Sequence, residues 1–352
     1  MFGRKAFQVN LILKRMSHHA GPSGYDRLAD FLEARRIAPV SRWTFGKRAL
    51  CRTLRSFINH SGSMWYHRDS LYSEISAAQK WFRKGPQIFH FLYGENTYRH
   101  LGLLKLLYDR NIVVCTYHVP PQKFRKVVRD QNHIARLDAV IVVSTCQLDF
   151  FSELIGPERV FYVPHGVDVD YFRPKKKKAN SANVFCSLFV GSHLRDFETM
   201  AETARLLEVG GNSFRFAVVT SSKFHHYFQD LNNVELFSSI TDEKLLSLYQ
   251  DVDALALPIL DGTANNSLLE AMACGLPIVS TDLPGVRDYV NHTCALLTPK
   301  SDPHAIAEAV RRLHENIGLR EKMAIASRAR SLDFSWQRVA SKTQEIYEQV
   351  SA

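Results

Sequence analysis

DGTANNSLLEAMACGLPIVST, at residues Asp261–Thr281, is the most informative segment of this sequence for the fold and for the ligand site. It begins as a polar loop, continues as a short apolar helix that opens near Ser267, and passes through Gly-Leu-Pro into an apolar strand. Asn265 or Asn266 can cap this helix, because an asparagine side chain accepts a backbone N–H group at a helix start. The free N–H groups there predict an anion site, and Glu270, one turn further along, can accept two hydroxyl hydrogen bonds. A diphosphate at the helix start with a ribose beside Glu270 is a coherent prediction.

Apolar strand patterns alternate with helical patterns on both sides of this stretch, which predicts an α/β protein with parallel sheets covered on both faces. The candidate strands are Gln8–Leu13, Gln87–Leu92, Asn111–Thr116, Ala139–Ser144, Val184–Val190, Arg215–Thr220, Asn233–Phe237, Ala254–Leu257 and Pro277–Thr281. Asp26–Arg36 is predicted as a helix. Because the pattern restarts after a charged linker at residues 174–183, we expect two doubly wound domains with the ligand in the cleft between them.

Charge is unevenly distributed along the 352 residues. Met1–Lys178 contains 30 Lys and Arg against 14 Asp and Glu, a net charge of +16, whereas the remainder carries a net charge of −6. This asymmetry predicts an anionic partner for the first half, such as lipid headgroups or a phosphorylated acceptor. The six cysteines form no CxxC pair, and no apolar run of 18 residues occurs, so we expect reduced thiols, no spanning helix and a cytoplasmic location.

LLEAMACGLPIVSTDLPGVRDYV, residues Leu268–Val290, resembles the nucleotide-binding signature of family 4 glycosyltransferases, which have the GT-B fold. Further similar segments follow the family's order: Gly21–Gly24 (GPSG), Val113–His118 (VVCTYH), Val163–Pro174 (VPHGVDVDYFRP), Val190–Leu206, and Ser335-Trp336 to Tyr347. The resemblance implies two Rossmann-like domains, at 1–173 and 184–333, that face a central cleft. It also implies that a C-terminal helix, 334–352, crosses back to the N-terminal domain.

The resemblance further implies transfer of a sugar from a nucleoside-diphosphate sugar to an acceptor hydroxyl, with retained configuration and with no metal or other cofactor. The implied catalytic residues are Glu270, which would hold the ribose, Arg195, which would grip the diphosphate, and His118, which would contact the donor sugar. The other implied donor-binding residues are Gly21, Gly24, Gly191, Ile240, Asp261, Gly262, Thr263, Asn265, Asn266, Ser267 and Leu268. The family usually has a second glutamate eight residues before Glu270; this sequence has Gly262 there, so Asp261 is the nearest substitute.

The residues around the acceptor are predicted from single positions and from charge, without a specific motif. His90, Glu95, Lys123 and Arg125 are candidates for the acceptor side, with packing or capping as the alternative for His90 and Glu95. The acceptor would be a sugar or a lipid-linked sugar. Residues 34–68 contain no acidic residue. This basic segment predicts either a peripheral contact with an anionic inner membrane face or a helix packed on the sheet. Nucleic acid is not expected, because no recognisable nucleic-acid module accompanies the charge.

Three alternatives remain open at this stage. Asp168-Val169-Asp170 and Asp251-Val252-Asp253 match the DxD pattern that holds a metal in other glycosyltransferases, although their positions favour turns and caps. A sugar-nucleotide epimerase shares the architecture and would use several acid–base residues on the donor. A non-catalytic sugar-nucleotide binding protein would bind the nucleotide without turning the donor over.

Overall fold

The computed structural model describes residues 7–15, 21–38, 56–175, 184–209 and 213–352. The chain divides into two compact units. Unit 1 comprises Met1–His19, Gly24–His165 and Gln337–Ala352, and unit 2 comprises Ala20–Ser23 and Gly166–Trp336. Each unit is built on one six-stranded parallel sheet, so the predicted α/β class with two doubly wound sheets is confirmed. Among the described residues, no helix is both long enough and apolar enough to span a membrane.

The sheet of unit 1 has the strand order β2-β1-β3-β4-β5-β6. Its strands are β1 (Gln8–Ile12), β2 (Arg35–Ile37), β3 (Gln87–Phe91), β4 (Ile112–Tyr117), β5 (Ala139–Val142) and β6 (Val160–Tyr162). The described helices of unit 1 are Arg68–Trp81, Gly94–Thr97, Pro121–Val127 and Leu148–Ile155, with 3-10 turns at Tyr25–Asp30, Leu101–Leu106, Asn132–Arg136, Thr145–Gln147 and Pro157–Arg159. Every residue of β3, β4 and β5 is buried, as expected for strands covered on both faces.

The predicted helix at Asp26–Arg36 is wrong. A 3-10 turn at Tyr25–Asp30 is followed by the edge strand β2, which pairs in parallel with β1. Arg36 stabilises this return of the chain, because its Nη2 donates to Ala29 O at 2.9 Å and to Asp30 Oδ1 at 2.7 Å. Pairing with the edge of a sheet therefore outweighs the local helical pattern. That pattern contains no information about the neighbouring strand β1.

The sheet of unit 2 has the strand order β12-β11-β10-β7-β8-β9. Its strands are β7 (Phe185–Val190), β8 (Phe214–Val219), β9 (Val234–Phe237), β10 (Ala254–Leu257), β11 (Ile278–Thr281) and β12 (Ala295–Thr298). Its described helices are Phe197–Glu208, Asp242–Asp251, Asn266–Ala273, Pro284–Arg287, Pro303–Glu315 and Ile317–Ser331, with 3-10 turns at Ser222–Phe228 and Leu332–Phe334. The strand order reverses between β7 and β10, and ligands of such sheets bind outside the carboxyl ends of the strands at that point.

The last helix, Trp336–Val350, packs on unit 1 from Gln337 onward. The hydroxyl of Tyr347 hydrogen-bonds His90 Nδ1 on β3 at 2.6 Å, and His90 Nε2 hydrogen-bonds Thr116 Oγ1 on β4 at 2.7 Å. His90 is fully buried, and this burial lowers its pKa to about 3, so the imidazole stays neutral. With both ring nitrogens engaged, His90 fits the packing alternative that the sequence left open.

Candidate active site

Several of the predicted donor-binding residues lie where the strand order of unit 2 reverses. Gly191 follows β7 directly, and Ile259 follows β10. Arg195 and Ile259 form an isolated antiparallel bridge between these two loops, and the backbone N–H of Leu260 donates to Leu194 O at 2.9 Å. Gly191 has a φ of +103°, and a Cβ there would lie 2.6 Å from Arg195 Nη2, so this position requires glycine. The two loops therefore form one continuous edge.

Arg195 is held as a fixed charge at this edge. Its Nε donates to Val190 O at 2.7 Å, and its Nη1 donates to His193 O at 3.0 Å. Its Nη2 lies 3.2 Å from both Asn265 Oδ1 and Ser267 Oγ, at the start of the next helix. Burial lowers the pKa of Arg195 to about 10, which still leaves the guanidinium charged at neutral pH.

The helix Asn266–Ala273 begins beside that guanidinium. Asn265 is its N-cap, and Asn265 Oδ1 accepts the backbone N–H of Leu268 at 3.3 Å, so the first of the two predicted caps is the observed one. The side chain of Leu268 is buried in the core of unit 2, and the backbone N–H of this residue is held by the cap. The positive end of this helix and Arg195 together provide an environment suited to an anion.

Glu270 is 4% exposed and accepts two hydroxyl hydrogen bonds from the protein itself. The Tyr249 hydroxyl donates to Oε2 at 2.9 Å, and the Ser23 hydroxyl donates to Oε1. Ser23 lies in the Gly21–Ser23 loop, whose Gly21 N–H donates to Asp242 Oδ2 at 2.7 Å. Glu270 thus accepts two hydroxyls from the protein itself, and its role toward a ribose stays a prediction. Ser23 is a site residue that the sequence patterns did not single out.

Burial makes the ionised form of Glu270 costly. Desolvation raises the pKa of its carboxyl group, opposed by the hydroxyls of Ser23 and Tyr249 and by the charge of Arg195. Because the folded pKa lies above the unfolded value, protonation of this group stabilises the fold. That contribution is fully present below the unfolded pKa and is lost as the pH rises through the raised pKa.

Replacement of Glu270 by glutamine should therefore raise the Tm, and the gain should be larger at about pH 8 than at about pH 4. The amide resembles the protonated acid and carries no charge to desolvate. Differential scanning calorimetry at both pH values measures the gain, with the exposed Glu321→Gln as a matched control that should show no such pH dependence. A gain that is equal at both pH values would contradict the account of this carboxyl group.

The loop Asp261–Thr263 is shaped by its own side chain and by a neighbouring glycine. Asp261 Oδ1 accepts the N–H of Gly262 at 2.8 Å, and Thr263 is buried. Gly285 packs directly against this loop, because a Cβ at Gly285 would lie 2.7 Å from Thr263 O and closer still to Gly262 O. Gly285 was not among the predicted site residues, although it lies within the Leu268–Val290 stretch that carried the resemblance.

Three further predicted residues have separate surroundings. Ile240 follows β9 at the same carboxyl edge of unit 2, next to Ser239, whose φ is +53°. Asn266 is the first residue of its helix and is half-buried. Gly24 belongs to unit 1, where it precedes the 3-10 turn Tyr25–Asp30 with a φ of +104°.

Unit 1 carries a second cluster at the carboxyl ends of β3 and β4. His118 Nδ1 lies 3.4 Å from Glu95 Oε1, and the His118 ring lies against the rings of Tyr25 and Tyr93, with centroids 4.7 and 4.6 Å apart. Glu95 is 4% exposed, and among the described residues its Oε2 has no hydrogen-bond partner. A buried carboxylate oxygen in this position is costly unless a polar ligand reaches it. The structure thus places two of the predicted residues, His118 and Glu95, side by side, with one carboxylate oxygen of Glu95 able to accept a hydrogen bond from a ligand.

Lys123 and Arg125 lie on the helix Pro121–Val127, which begins three residues after His118. Lys123 Nζ lies 5.3 Å from the centre of the Trp65 ring, and the Arg125 guanidinium lies 4.9 Å from that of Phe150. These cation–π contacts hold both charges on the surface of unit 1, each against an aromatic ring.

Two features of the sequence remain, the basic segment 34–68 and the two Asp-Val-Asp sequences. In the basic segment 34–68, residues 39–55 lie outside the described residues, so both alternatives for this segment, a membrane contact or a helix packed on the sheet, stay predictions. Asp168 Oδ1 accepts the N–H groups of Asp170 and Tyr171 at 3.2 and 3.0 Å, and Asp253 Oδ2 accepts the N–H of Cys186 at 3.0 Å. One aspartate of each Asp-Val-Asp sequence therefore holds backbone in place.

Comparison with known proteins places these features in context. Residues 187–316, which include Arg195, Glu270 and Gly285, match the model for glycosyl transferases group 1. The chain is 25% identical over 256 residues to the D-inositol 3-phosphate glycosyltransferase of Xylanimonas cellulosilytica, covering 66% of this chain and 61% of that protein. This chain therefore spans about three fifths of that relative's length.

Solved structures resemble the whole chain. Sucrose-phosphate synthase from Thermosynechococcus elongatus matches with a TM-score of 0.69 and 17% identity, over 98% of this chain and 99% of that chain. Anabaena HepE in complex with UDP and glucose matches with a TM-score of 0.65 and 14% identity, over 99% of this chain and all of that one. At such identities the likeness concerns the fold alone, and that fold is GT-B.

Proposed function

We propose that this chain, which contains a glycosyl transferases group 1 domain at residues 187–316 and has the GT-B fold, is a family 4-like, retaining glycosyltransferase. It would move a sugar from a nucleoside-diphosphate sugar to an acceptor hydroxyl without a metal ion. One observation carries the proposal: Arg195 contacts the capped start of the helix Asn266–Ala273, which also contains the buried Glu270, where the strand order of unit 2 reverses.

Each part of this arrangement suits one part of the donor. The guanidinium of Arg195 and the positive helix end would stabilise the negative charge that develops on the leaving diphosphate. Glu270 already accepts two hydroxyls, from Ser23 and Tyr249, so a ribose diol matches its hydrogen-bonding capacity. Binding of the ribose would exchange at least one protein hydroxyl for a ribose hydroxyl, at little net cost in hydrogen bonds.

In unit 1, the pair formed by His118 and Glu95 offers an imidazole and a buried carboxylate for sugar hydroxyls. The vacant hydrogen-bonding capacity of Glu95 Oε2 among the described residues supports a polar ligand at that position. Retention of configuration is proposed from the family resemblance. Displacement on the same face of the sugar would give this outcome without an enzymic nucleophile.

For the acceptor we propose a sugar or lipid-linked sugar that bears phosphate, at the cytoplasmic face of a membrane. The net charge of +16 on Met1–Lys178 supports an anionic acceptor or surface. The name of the Xylanimonas relative, which acts on an inositol phosphate, is consistent with a phosphorylated acceptor.

Donor turnover tests the proposal. The protein would be incubated with UDP-, GDP- and ADP-sugars in the presence of EDTA, with and without phosphorylated acceptors, and the products resolved by chromatography and mass spectrometry. We expect release of one nucleoside diphosphate, accelerated by an acceptor. An epimerised donor without acceptor would instead identify an epimerase, and binding with neither transfer nor hydrolysis would identify a sugar-nucleotide binding protein.

A further inference from the structure

An apolar surface on unit 1 is made by Phe82, Leu103, Leu106 and Leu107, the leucine patch. These side chains are 62%, 40%, 82% and 76% exposed, respectively. Phe82 directly follows the helix Arg68–Trp81, and its ring centroid lies 6.2 Å from that of Tyr108, next to Leu107. The Trp81 indole N–H also donates to Tyr108 O at 3.2 Å, which fastens the two segments together. The four residues therefore share one surface, and exposed apolar side chains that adjoin one another indicate an interaction site.

The 3-10 turn Leu101–Leu106 is apolar on its inner and its outer side. Leu101 is buried and Leu104 packs against the core of unit 1, while Leu103 and Leu106 point outward. The inner leucines account for the folding of this turn, and the outer ones contribute nothing to the core. Burial of a leucine side chain is worth about 1.5–3 kcal/mol, so the outer leucines represent binding energy that the isolated fold leaves unused.

The charges around the leucine patch are mainly basic. Arg83, Lys84 and Arg110 are exposed beside it, and Asp109 is the acidic residue among its exposed neighbours in 82–85 and 103–110. Lys105 is neutralised locally, since its Nζ lies 2.6 Å from Asp138 Oδ2 and 3.6 Å from Asp109 Oδ1. The net charge of the exposed residues in these two segments is therefore positive, which complements an anionic surface.

From this combination we infer that the leucine patch docks unit 1 on an anionic lipid surface. Side chains that are 76–82% exposed stand out from the protein and do not line a groove, so they suit insertion between lipid headgroups. The basic side chains around them can lie along the apolar boundary with their charges among the headgroups. None of the four residues of the leucine patch belongs to the basic segment 34–68. The inference rests on the proposed function in one respect only: a lipid-linked acceptor would require the protein to reach a membrane. Its test does not require catalytic turnover.

Vesicle co-sedimentation of the full chain tests the inference. The probes are vesicles of phosphatidylcholine alone and of phosphatidylcholine mixed with phosphatidylglycerol. We expect binding to the mixed vesicles, at least tenfold weaker for the double variant Leu106→Ser/Leu107→Ser, equivalent to about 1.4 kcal/mol. The double variant Arg83→Ser/Lys84→Ser should also weaken binding to the mixed vesicles, by about fivefold or more.

A matched control is available on unit 2. Ile317 and Ile325 are 57% and 74% exposed, so Ile317→Ser/Ile325→Ser removes two apolar groups that are also largely exposed and should leave vesicle binding unchanged. Because the outer leucines do not contribute to the core, the leucine variant should keep its Tm and its nucleotide affinity. Binding that survives in the leucine variant, or no vesicle binding by the wild type, would overturn the inference. It would also be overturned if sedimentation showed a wild-type dimer that the leucine variant dissociates, because the patch would then join two copies of the chain.

Discussion

Arg195→Ala should slow release of nucleoside diphosphate from the donor by about 100-fold to 1,000-fold, the usual cost of removing a charged group that stabilises a developing negative charge. The guanidinium lies at the start of the helix Asn266–Ala273 and is held there by Val190 O and His193 O. Its position is therefore set before a ligand arrives, which is the condition under which such a charge acts most strongly. The measurement is the single-turnover rate with saturating donor.

Arg195 also braces the loop after β7, so a purely structural role must be separated from a role at the diphosphate. Calorimetric affinities for a nucleoside and for its diphosphate make this distinction. We expect Arg195→Ala to weaken binding of the diphosphate and to leave binding of the nucleoside nearly unchanged, with Arg195→Lys intermediate because it keeps the charge without the planar fork. An equal loss for both ligands would assign Arg195 to the loop alone.

Gly285→Ala should disrupt the loop Asp261–Thr263 although Gly285 bears no functional group. The added Cβ would lie 2.7 Å from Thr263 O, and backbone atoms of Gly262 are also in its way, so the backbone must move. Such overpacking costs about 1–3 kcal/mol of stability. Because the displaced residues, Gly262 and Thr263, belong to the predicted donor site, we also expect a loss of affinity for the nucleotide sugar of at least tenfold. Thermal unfolding and calorimetric titration measure the two effects.

Gly318→Ala is the matched control. A Cβ at Gly318 would meet Asn316 Oδ1 at 3.7 Å, an ordinary contact, within the helix Ile317–Ser331. Alanine is favoured over glycine in a helix by up to about 1 kcal/mol, so this variant should be as stable as the wild type or more stable. If Gly285→Ala is also as stable as the wild type and keeps its affinity for the nucleotide sugar, the close packing of Gly285 on the loop Asp261–Thr263 does not constrain that loop.

Local patterns were sufficient for nine of the twelve described strands and for the residues that act within one short stretch. The cap at Asn265 and the hydroxyl-accepting Glu270 both follow from a loop, a helix start and a carboxylate one turn along. Strand β2 could not be predicted in this way, because its conformation depends on pairing with β1. Short edge strands carry little hydrophobic periodicity of their own.

Contacts between residues that are far apart in the sequence could not be predicted from local patterns either. Ser23 reaches Glu270 across 247 residues, and Tyr347 reaches His90 across 257. No spacing rule links such pairs, since the sheet topology alone brings them together. The same holds for Gly285, whose tight contact with the Asp261–Thr263 loop depends on how a short helix packs against it.

The most direct test of the central claim is calorimetric titration of UDP, GDP and ADP, in EDTA, into the wild type and Glu270→Ala. We expect one of the three nucleotides to bind and the substitution to weaken its binding at least tenfold, or by about 1.4 kcal/mol. If no nucleotide binds the wild type, or if Glu270→Ala binds as tightly as the wild type, the nucleotide site is not where we place it.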